Sequence, residues 1–142
     1  MSGSRKKARA AALQALYQWQ LTAQPAQDIE RLFLSEDNLA GADGEYFREL
    51  VQGVPAHRDE LDAKLAPHVD RKLDEVDPIE RAILRIGAYE CAYRPEIPYR
   101  VVLNEAIELA KRFGAEQGHR YVNAVLDKLA AQLRAAEIAR PR

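Results

Sequence analysis

Near the start of the chain, several cations precede an aromatic residue at helical spacing. The cations are Arg5, Lys6, Lys7 and Arg9, the aromatic residue is Tyr17, and no acid occurs in the first 27 residues. A cation neutralises a phosphate and a phenol ring stacks on an unpaired base, which is the usual chemistry of single-stranded RNA recognition. We therefore expect these five residues to bind RNA. Taken alone, a basic N-terminal arm more often indicates unspecific charge that keeps a protein in solution.

A helical wheel at ~100° per residue separates two faces of this segment. One face carries Lys6, Arg9, Leu13 and Tyr17, and the other carries Ala8, Ala12, Ala15 and Trp19. We expect the second face to belong to the core. The first face should lie at the surface, with the phenol of Tyr17 in line behind two cations.

A second group with similar chemistry stands near the end of the chain. Gln117, Arg120 and Tyr121 fall at the start of a predicted helix. A cation and an aromatic ring beside a helix N-terminus can bind an anion, and a neutral amide can donate to a phosphate that a carboxylate would repel. We expect all three residues to contact RNA. Alternatively, Tyr121 is a core residue beside Val122 and Val125.

The sequence offers little for catalysis. Glu116 and His119 form a single Glu-x-x-His, whereas a di-iron helix bundle needs that motif twice, together with two further glutamates. His57 and His68 lack cysteines or paired acids at ligand spacing, and we expect both to be exposed. Cys91 lies in an apolar helical run and should be buried and inert. No glycine-rich phosphate loop or nucleophile elbow occurs, so the sequence predicts no enzyme, no cofactor and no metal site.

Length and composition fit one domain, or two small bundles that share a core. At 142 residues the chain can bury enough surface to fold without disulfides or metals, and its lone cysteine cannot form an intramolecular disulfide. Nowhere do eighteen apolar residues occur together, and the first ten residues lack the apolar run of a signal peptide. These features favour a soluble protein of the reducing cytoplasm.

The net charge of −1 hides a segregation of charge along the chain. Residues 1–27 carry four cations and no acid, residues 28–80 carry fifteen acids and six cations, and residues 81–142 carry eleven cations and seven acids. Such segregation permits one face suited to a polyanion and another suited to a basic protein. For any single cluster, ordinary solvation of a charged helix is the simpler interpretation.

Alanine, leucine, glutamate and arginine dominate and no segment alternates as a strand would, so we predict an all-α fold of about seven helices. Apolar periodicity, prolines and glycines predict helices over residues 5–21 and 28–36. A third helix begins near residue 43 and breaks or kinks at Pro55, and its apolar pattern continues to residue 67. Further helices are predicted over 79–93, in a segment that ends at residue 114, and over 116–133. The helix at 79–93 is apolar on several sides and should lie centrally. Residues 1–4 and 135–142 should be frayed ends.

Four stretches of the sequence resemble the NusB family of bacterial transcription antitermination factors. They read RKKARAAALQALYQWQL from Arg5, YFRELVQGV from Tyr46, IERAILRIGAYE from Ile79, and NEAIELAKRFG followed by HRYVNAVLDKL from Asn104. Each is a string of ordinary residues, so the specificity comes from finding all of them in order along one chain. The likeness runs from about Arg5 to Leu133.

The resemblance implies one NusB-like RNA-binding domain over residues 1–142, built as two packed three-helix bundles. It also implies a protein that binds a short boxA-like element of single-stranded RNA together with NusE, a ribosomal small-subunit protein that doubles as a transcription factor. With RNA polymerase and other Nus factors, the pair would suppress termination during ribosomal RNA synthesis. The region implicated in NusE binding corresponds here to Glu75, Glu80, Arg81 and Arg85. Acids suit a basic partner, although helix capping also explains Glu80.

Family members often carry an acid where this chain has Gln117, and that departure predicts tighter RNA binding. Two other interpretations stay open. One is an RNA-binding accessory domain of a ribosomal RNA cytosine methyltransferase, which would require this chain to be a fragment; the other is a helical adaptor whose basic arm binds nothing specific. The RNA hypothesis also expects the basic leader and the Arg120 neighbourhood to converge in the folded protein.

Overall fold

The computed structural model describes residues 3–22, 24–35 and 39–140. Their regular structure consists of helices, together with one isolated bridge between Ser4 and Ala42. The α-helices are α1 Arg5–Leu21, α2 Ala26–Ser35, α3 Gly44–Ala56, α4 Arg58–Leu65, α5 Pro78–Tyr93, α6 Tyr99–Phe113, α7 Gly118–Leu133 and α8 Ala135–Ala139. Single-turn 3-10 helices span Ala66–His68 and Leu73–Glu75. The all-α prediction is confirmed, with eight α-helices in the described ranges rather than about seven.

The chain divides into two compact units, Met1–Arg58 (unit 1) and Asp59–Arg142 (unit 2). Unit 1 contains α1, α2 and α3, and both α2 and α3 pack on α1. Its buried side chains include Leu13, Leu16, Ile29, Phe47, Leu50 and Val54. The Phe33 ring stacks on the ring of Phe47, with centroids 5.9 Å apart, so α2 is held against α3 by an aromatic contact.

Residues at the start of unit 1 are ordered by a turn that joins two helix N-termini. The Ser4 hydroxyl caps α1 by accepting from Lys7 N, and Asp43 Oδ1 caps α3 by accepting from Tyr46 N, each at 3.1 Å. Ser4 N donates to Gly41 O at 2.8 Å, and Asp43 N donates to Ser4 O at 3.0 Å. Gly41 has a φ of 77°, in the left-handed region that favours glycine. Ser4, which was predicted to be frayed, takes part in this turn, while residues 1 and 2 lie outside the described residues.

Four of the predicted helix boundaries in this half of the chain can be compared with the structure. α1 has the predicted bounds, and α2 begins two residues early, at Ala26, while its predicted end at residue 36 lies outside the described ranges. α3 ends at Ala56, one residue beyond Pro55, and His57 N donates to Gly53 O at 3.0 Å. Because proline cannot donate and its ring crowds the preceding turn, the helix ends close to Pro55 as predicted.

α1 is more deeply buried than the helical wheel indicates. Ala8, Ala12 and Ala15 are buried as expected. Every residue from 8 to 13 is buried, however, so the expected surface residues Arg9 and Leu13 are enclosed, while Trp19 is only half-buried. A helix rich in alanine lets its neighbours approach on several sides. The prediction of one surface face along α1 is therefore wrong for Arg9 and Leu13.

Unit 2 is built around α5, against which α6 and α7 pack. Asp77 Oδ2 caps α5 by accepting from Ile79 N and Glu80 N, both at 3.1 Å, and Pro78 occupies the first helical position. Residues 81–91 of α5 are all buried, which confirms its predicted central place. At Gly87 an added Cβ would lie 2.7 Å from Leu126 Cδ1, so the glycine permits close packing of α5 and α7.

The C-terminal residues of unit 2 include a short helix, α8, within the segment 135–142 that was predicted to be frayed. Arg134 is buried and donates to the carbonyl oxygens of Cys91 at 2.9 Å and Ile97 at 3.0 Å. Glu137, in α8, accepts from Arg134 Nη1 at 2.6 Å and from Tyr99 N at 2.9 Å. These bonds fix α8 to the N-terminus of α6. Residues 141 and 142 lie outside the described ranges.

Among the described helices, none is both long and apolar enough to cross a bilayer.

Candidate nucleic-acid interface

In unit 1, the predicted cations separate into exposed and internal groups. Arg5, Lys6 and Lys7 are exposed in the first turn of α1. The Arg9 guanidinium is buried, and its carbon lies 5.5 Å from the centroid of the Tyr46 ring; Arg5 approaches the same ring at 4.6 Å. The structure thus gives Arg9 an internal cation–π contact in place of the accessible position expected from the sequence.

Tyr17 follows these cations on α1 as the sequence predicts. Its side chain is half-buried, so part of the phenol ring remains accessible. Lys6 and Tyr17 are separated by eleven residues, which corresponds to about 16 Å along a helix axis. Unit 1 therefore offers a cationic end and, some distance away on the same helix, an aromatic surface.

In unit 2, the ring of Tyr121 takes part in a cluster that the sequence did not predict. The Arg71 guanidinium carbon lies 5.3 Å from the ring centroid, and the Tyr121 hydroxyl donates to Asp70 Oδ1 at 3.2 Å. Arg71 Nε and Nη2 donate to the two oxygens of Asp70 at 2.7 and 2.9 Å. Tyr121 is half-buried, so it is neither a fully enclosed core residue nor a free ring.

Electrostatics in this cluster follow from its hydrogen bonds. The Arg71 guanidinium donates to Asp70 and lowers the pKa of that carboxyl to about 2. The pKa of the Tyr121 phenol is raised, first by burial and then by its hydrogen bond to Asp70. At neutral pH the cluster therefore contains an ionised carboxylate, an ionised guanidinium and a neutral phenol.

The other two predicted RNA residues of unit 2 are accessible. Gln117 stands at the N-cap position of α7 without a side-chain capping bond, and both it and Arg120 are exposed. Arg120 N donates to Gln117 O at 3.2 Å, which shapes the first turn. Gln117 therefore offers an amide donor and Arg120 a guanidinium, and both precede Tyr121 at the start of α7 as the sequence predicts.

The N-terminus of α7 already has an acidic neighbour. A Cβ added to Gly118 would lie 2.7 Å from Glu80 Oε2, so the carboxylate of Glu80 rests against the first residue of the helix. Burial raises the pKa of Glu80, the charge of Asp77 adds to that effect, and the charge of Arg71 opposes it. Because this carboxylate lies against the helix end, the expected anion site there is partly occupied by the protein itself.

The four residues expected at a protein-partner surface differ in accessibility. Glu75 is exposed and Glu80 is half-buried, whereas Arg81 and Arg85 are buried. Arg81 Nη1 donates to Asp74 O at 3.0 Å. Arg85 Nε and Nη2 donate to the two oxygens of Asp62 at 2.9 and 2.8 Å. The expectation that both guanidinium groups face a partner is corrected by these internal bonds.

Residues considered for other chemistry occupy structural positions. His68 Nε2 lies 2.9 Å from Gln132 Oε1, and both His57 and His68 are half-buried rather than exposed as predicted. Cys91 is buried as predicted, and burial raises the pKa of its thiol to about 11. Within the described ranges, no group of three or more His, Cys, Asp or Glu residues is placed to hold a metal ion.

The two sets of predicted RNA residues belong to different units: 5, 6, 7, 9 and 17 to unit 1, and 117, 120 and 121 to unit 2. Their convergence into one surface stays a prediction.

Sequence comparisons identify relatives over nearly the whole chain. A sequence profile of the NusB family matches residues 6–131. The transcription antitermination protein NusB of Nitrosococcus oceani is 62% identical over 137 residues, covering 96% of this chain and 92% of the relative. The protein of the same name from Shewanella pealeana is 54% identical over 128 residues, covering 90% and 95%.

Solved structures agree with these relatives. NusB in a crystal structure of the antitermination factors NusB and NusE with dsRNA has a TM-score of 0.82 and 27% identity, covering 90% of this chain and 96% of that one. NusB of T. maritima has a TM-score of 0.79 and 27% identity, with coverage of 93% and 94%. Antitermination is a regulatory activity rather than a catalysed reaction, which confirms the prediction that the protein is not an enzyme. By its sequence over residues 6–131 and by its fold, the chain belongs to the NusB family.

Proposed function

We propose that this protein is a transcription antitermination factor that binds a boxA-like single-stranded RNA element together with NusE. Family membership supports a role in transcription antitermination, since the relatives are named for that activity. A related NusB has been crystallised with NusE and dsRNA. The proposed pair associates with RNA polymerase and other Nus factors and promotes transcription of ribosomal RNA operons. Because nascent RNA is the ligand, the protein would work in the cytoplasm.

The observation that carries the RNA proposal is that each unit pairs exposed cationic or amide donors with a partly accessible tyrosine. Unit 1 presents Lys6 and Lys7 before Tyr17, and unit 2 presents Gln117 and Arg120 before Tyr121. Cations supply a salt-dependent attraction to phosphates, and aromatic rings supply stacking that does not depend on counterion release. Both units are therefore proposed to contact RNA.

The proposed NusE contact rests on accessible acids of unit 2. Glu75 is exposed in the 3-10 turn Leu73–Glu75, and Glu80 is half-buried in the first turn of α5. Acidic groups favour association with a basic ribosomal protein and speed the encounter. Arg81 and Arg85 support this surface from within, because their guanidinium groups hold Asp74 and Asp62 of the preceding segments.

The proposal is tested by measuring the affinity for a boxA-like RNA, a scrambled oligomer of equal length and the boxA-like sequence as a duplex. Each affinity is measured with and without NusE, at fixed salt. The proposal expects preference for the single-stranded boxA-like RNA and a gain in affinity with NusE. Equal affinity for the scrambled oligomer would instead indicate a helical adaptor with an unspecific basic arm.

A variant identifies the contribution of stacking in the same experiment. Tyr17→Ala should weaken boxA-like RNA binding by about 5- to 150-fold, the range of one lost base stack. Its far-ultraviolet circular dichroism should match that of the parent protein. Unchanged affinity in the correctly folded variant would remove Tyr17 from the RNA surface.

A further inference from the structure

Three hydrogen-bond donations converge on the carboxylate of Asp70 in unit 2. Asp70 Oδ1 accepts from Arg71 Nε at 2.7 Å and from the Tyr121 hydroxyl at 3.2 Å, and Oδ2 accepts from Arg71 Nη2 at 2.9 Å. The Asp70 side chain is nevertheless 63% exposed, and that of Arg71 is 47% exposed. The same donors would suit the oxygens of a phosphate arriving from solvent.

Arg71 and Tyr121 together have the two properties that single-stranded nucleic acid requires. A guanidinium fork matches phosphate geometry, and an aromatic ring stacks on a base. In the structure, the Nε–Nη2 edge of the Arg71 guanidinium is used by Asp70, and the guanidinium lies over the Tyr121 ring at 5.3 Å. Asp70 therefore engages both groups at once, through the Arg71 guanidinium and the Tyr121 hydroxyl.

We propose that Asp70 is an internal competitor of RNA phosphate at Arg71 and Tyr121, and that RNA binding in unit 2 breaks the contacts of this carboxylate. This inference rests on the proposed RNA-binding function and adds Asp70 and Arg71 to it. The Asp70 carboxylate lowers the affinity for RNA in two ways. It neutralises the charge of Arg71, and it repels the RNA phosphates.

The exposure of the cluster makes this exchange feasible. Ion pairs between solvent-exposed side chains contribute little to stability and are screened by salt, so a polyanion with several simultaneous contacts can replace one carboxylate. Arg71 also interacts with the charge of Glu80, so two acids oppose the attraction of this guanidinium for RNA. Asp70 is the direct competitor, however, because its two oxygens accept from a full edge of the guanidinium, whereas Glu80 acts on Arg71 through its charge.

The test compares Asp70→Asn with Asp127→Asn in binding to the boxA-like RNA. Both substitutions remove one negative charge, and Asp127 is an exposed residue of α7. Asp70→Asn should tighten binding by about two- to fivefold, the size expected for release of an exposed ion pair, and Asp127→Asn should change it by less. An unchanged or weaker affinity for Asp70→Asn would overturn the inference, because the carboxylate would then be neutral or would help to position Arg71.

A double-mutant cycle separates the specific effect from a general change of charge. In an Arg71→Ala background, Asp70→Asn should no longer tighten binding, and Arg71→Ala alone should lower the salt slope by about one. A gain that persists without Arg71 would show that Asp70 acts only through long-range repulsion and would refute the competitor role. If the parent protein shows no preference for the boxA-like RNA, the proposed function itself fails; if the parent binds and Asp70→Asn gains nothing, only this inference fails.

Discussion

Glu80 Oε2 lies 2.7 Å from the point where a Cβ on Gly118 would stand. The carboxylate of α5 can therefore lie against the N-terminus of α7 only because residue 118 has no side chain. This relationship joins two helices of unit 2 at the end where the predicted RNA residues of α7 begin. Burial raises the pKa of Glu80, and the charge of Asp77 adds to that effect, because both disfavour the ionised carboxyl.

Gly118→Ala should displace the Glu80 carboxylate without unfolding the protein. The atoms that a new Cβ would meet are the end of a flexible side chain, so we expect the free energy of unfolding to change by less than about 1 kcal/mol. The pKa of Glu80 should fall towards its ordinary value as the carboxylate moves into solvent. Titration of the Glu80 side-chain carbon by NMR measures this shift. A pKa that stays raised in the variant would place the cause elsewhere, with Asp77 as the next candidate.

Arg9 and Lys6 should respond differently to substitution although both are cations of α1. Arg9 is buried against Tyr46, so Arg9→Ala should lower the free energy of unfolding by about 1–2 kcal/mol through lost cation–π and packing contacts. Lys6 is exposed, so Lys6→Ala should leave stability nearly unchanged and weaken RNA binding at low salt. Urea unfolding and RNA titration separate the two effects. Equal stability of both variants would contradict the internal role of Arg9.

Local signals in the sequence were sufficient to locate most helices. Asp77 followed by Pro78 predicts the start of α5, and the structure shows the expected caps on Ile79 N and Glu80 N. The predicted bounds of α1 coincide with the observed Arg5–Leu21. Capping and proline effects act over three or four residues, so they can be read from a short window. The same reasoning placed the start of α7 two residues early, because the turn at 115–118 precedes the helix.

Contacts between distant residues could not be predicted from those windows. The wheel placed Arg9 at the surface because it treats a helix as having one partner, whereas the alanines of α1 admit neighbours on several sides. Arg71 was not predicted at all, since its relation to Tyr121 spans fifty residues. A tail rich in alanine and arginine was predicted to fray because composition does not show that Arg134 reaches the carbonyls of Cys91 and Ile97. Tertiary contacts override local preference at each of these positions.

Arg134→Ala should destabilise the protein strongly for a residue so near the C-terminus. It removes donors from the carbonyls of Cys91, Ile97, Glu90 and Arg94 and leaves buried acceptors unpaired. We expect a loss of about 2–4 kcal/mol in the free energy of unfolding. Arg134→Lys keeps the charge but not the planar fork, so it should recover only part of the loss. Full recovery in the lysine variant would show that charge rather than geometry is required.

The thiol of Cys91 should resist alkylation in the native protein. Burial raises its pKa to about 11, so at pH 8.5 very little thiolate is present, and the sulfur is enclosed as well. Because the pKa of the Cys91 thiol in the folded protein lies above its ordinary value near 9, the protonated thiol favours folding below pH 9, and this contribution is lost as pH rises from about 9 to about 11. Iodoacetamide labelling at pH 8.5, with and without urea, measures the protection. Equal rates in both conditions would contradict the buried position.

Gln117→Asp should change stability and RNA affinity in opposite directions. Aspartate at the N-cap position of α7 accepts from backbone N–H groups and interacts favourably with the helix dipole, so the free energy of unfolding should rise by about 0.5–1 kcal/mol. The same charge stands among the proposed RNA contacts and should repel phosphate, which weakens boxA-like RNA binding most at low salt. Gln117→Asn keeps the position neutral and provides the control for side-chain length. If aspartate stabilises the helix but RNA affinity at matched salt is unchanged, Gln117 does not face the RNA, and the proposed surface of unit 2 is reduced to Arg71, Arg120 and Tyr121.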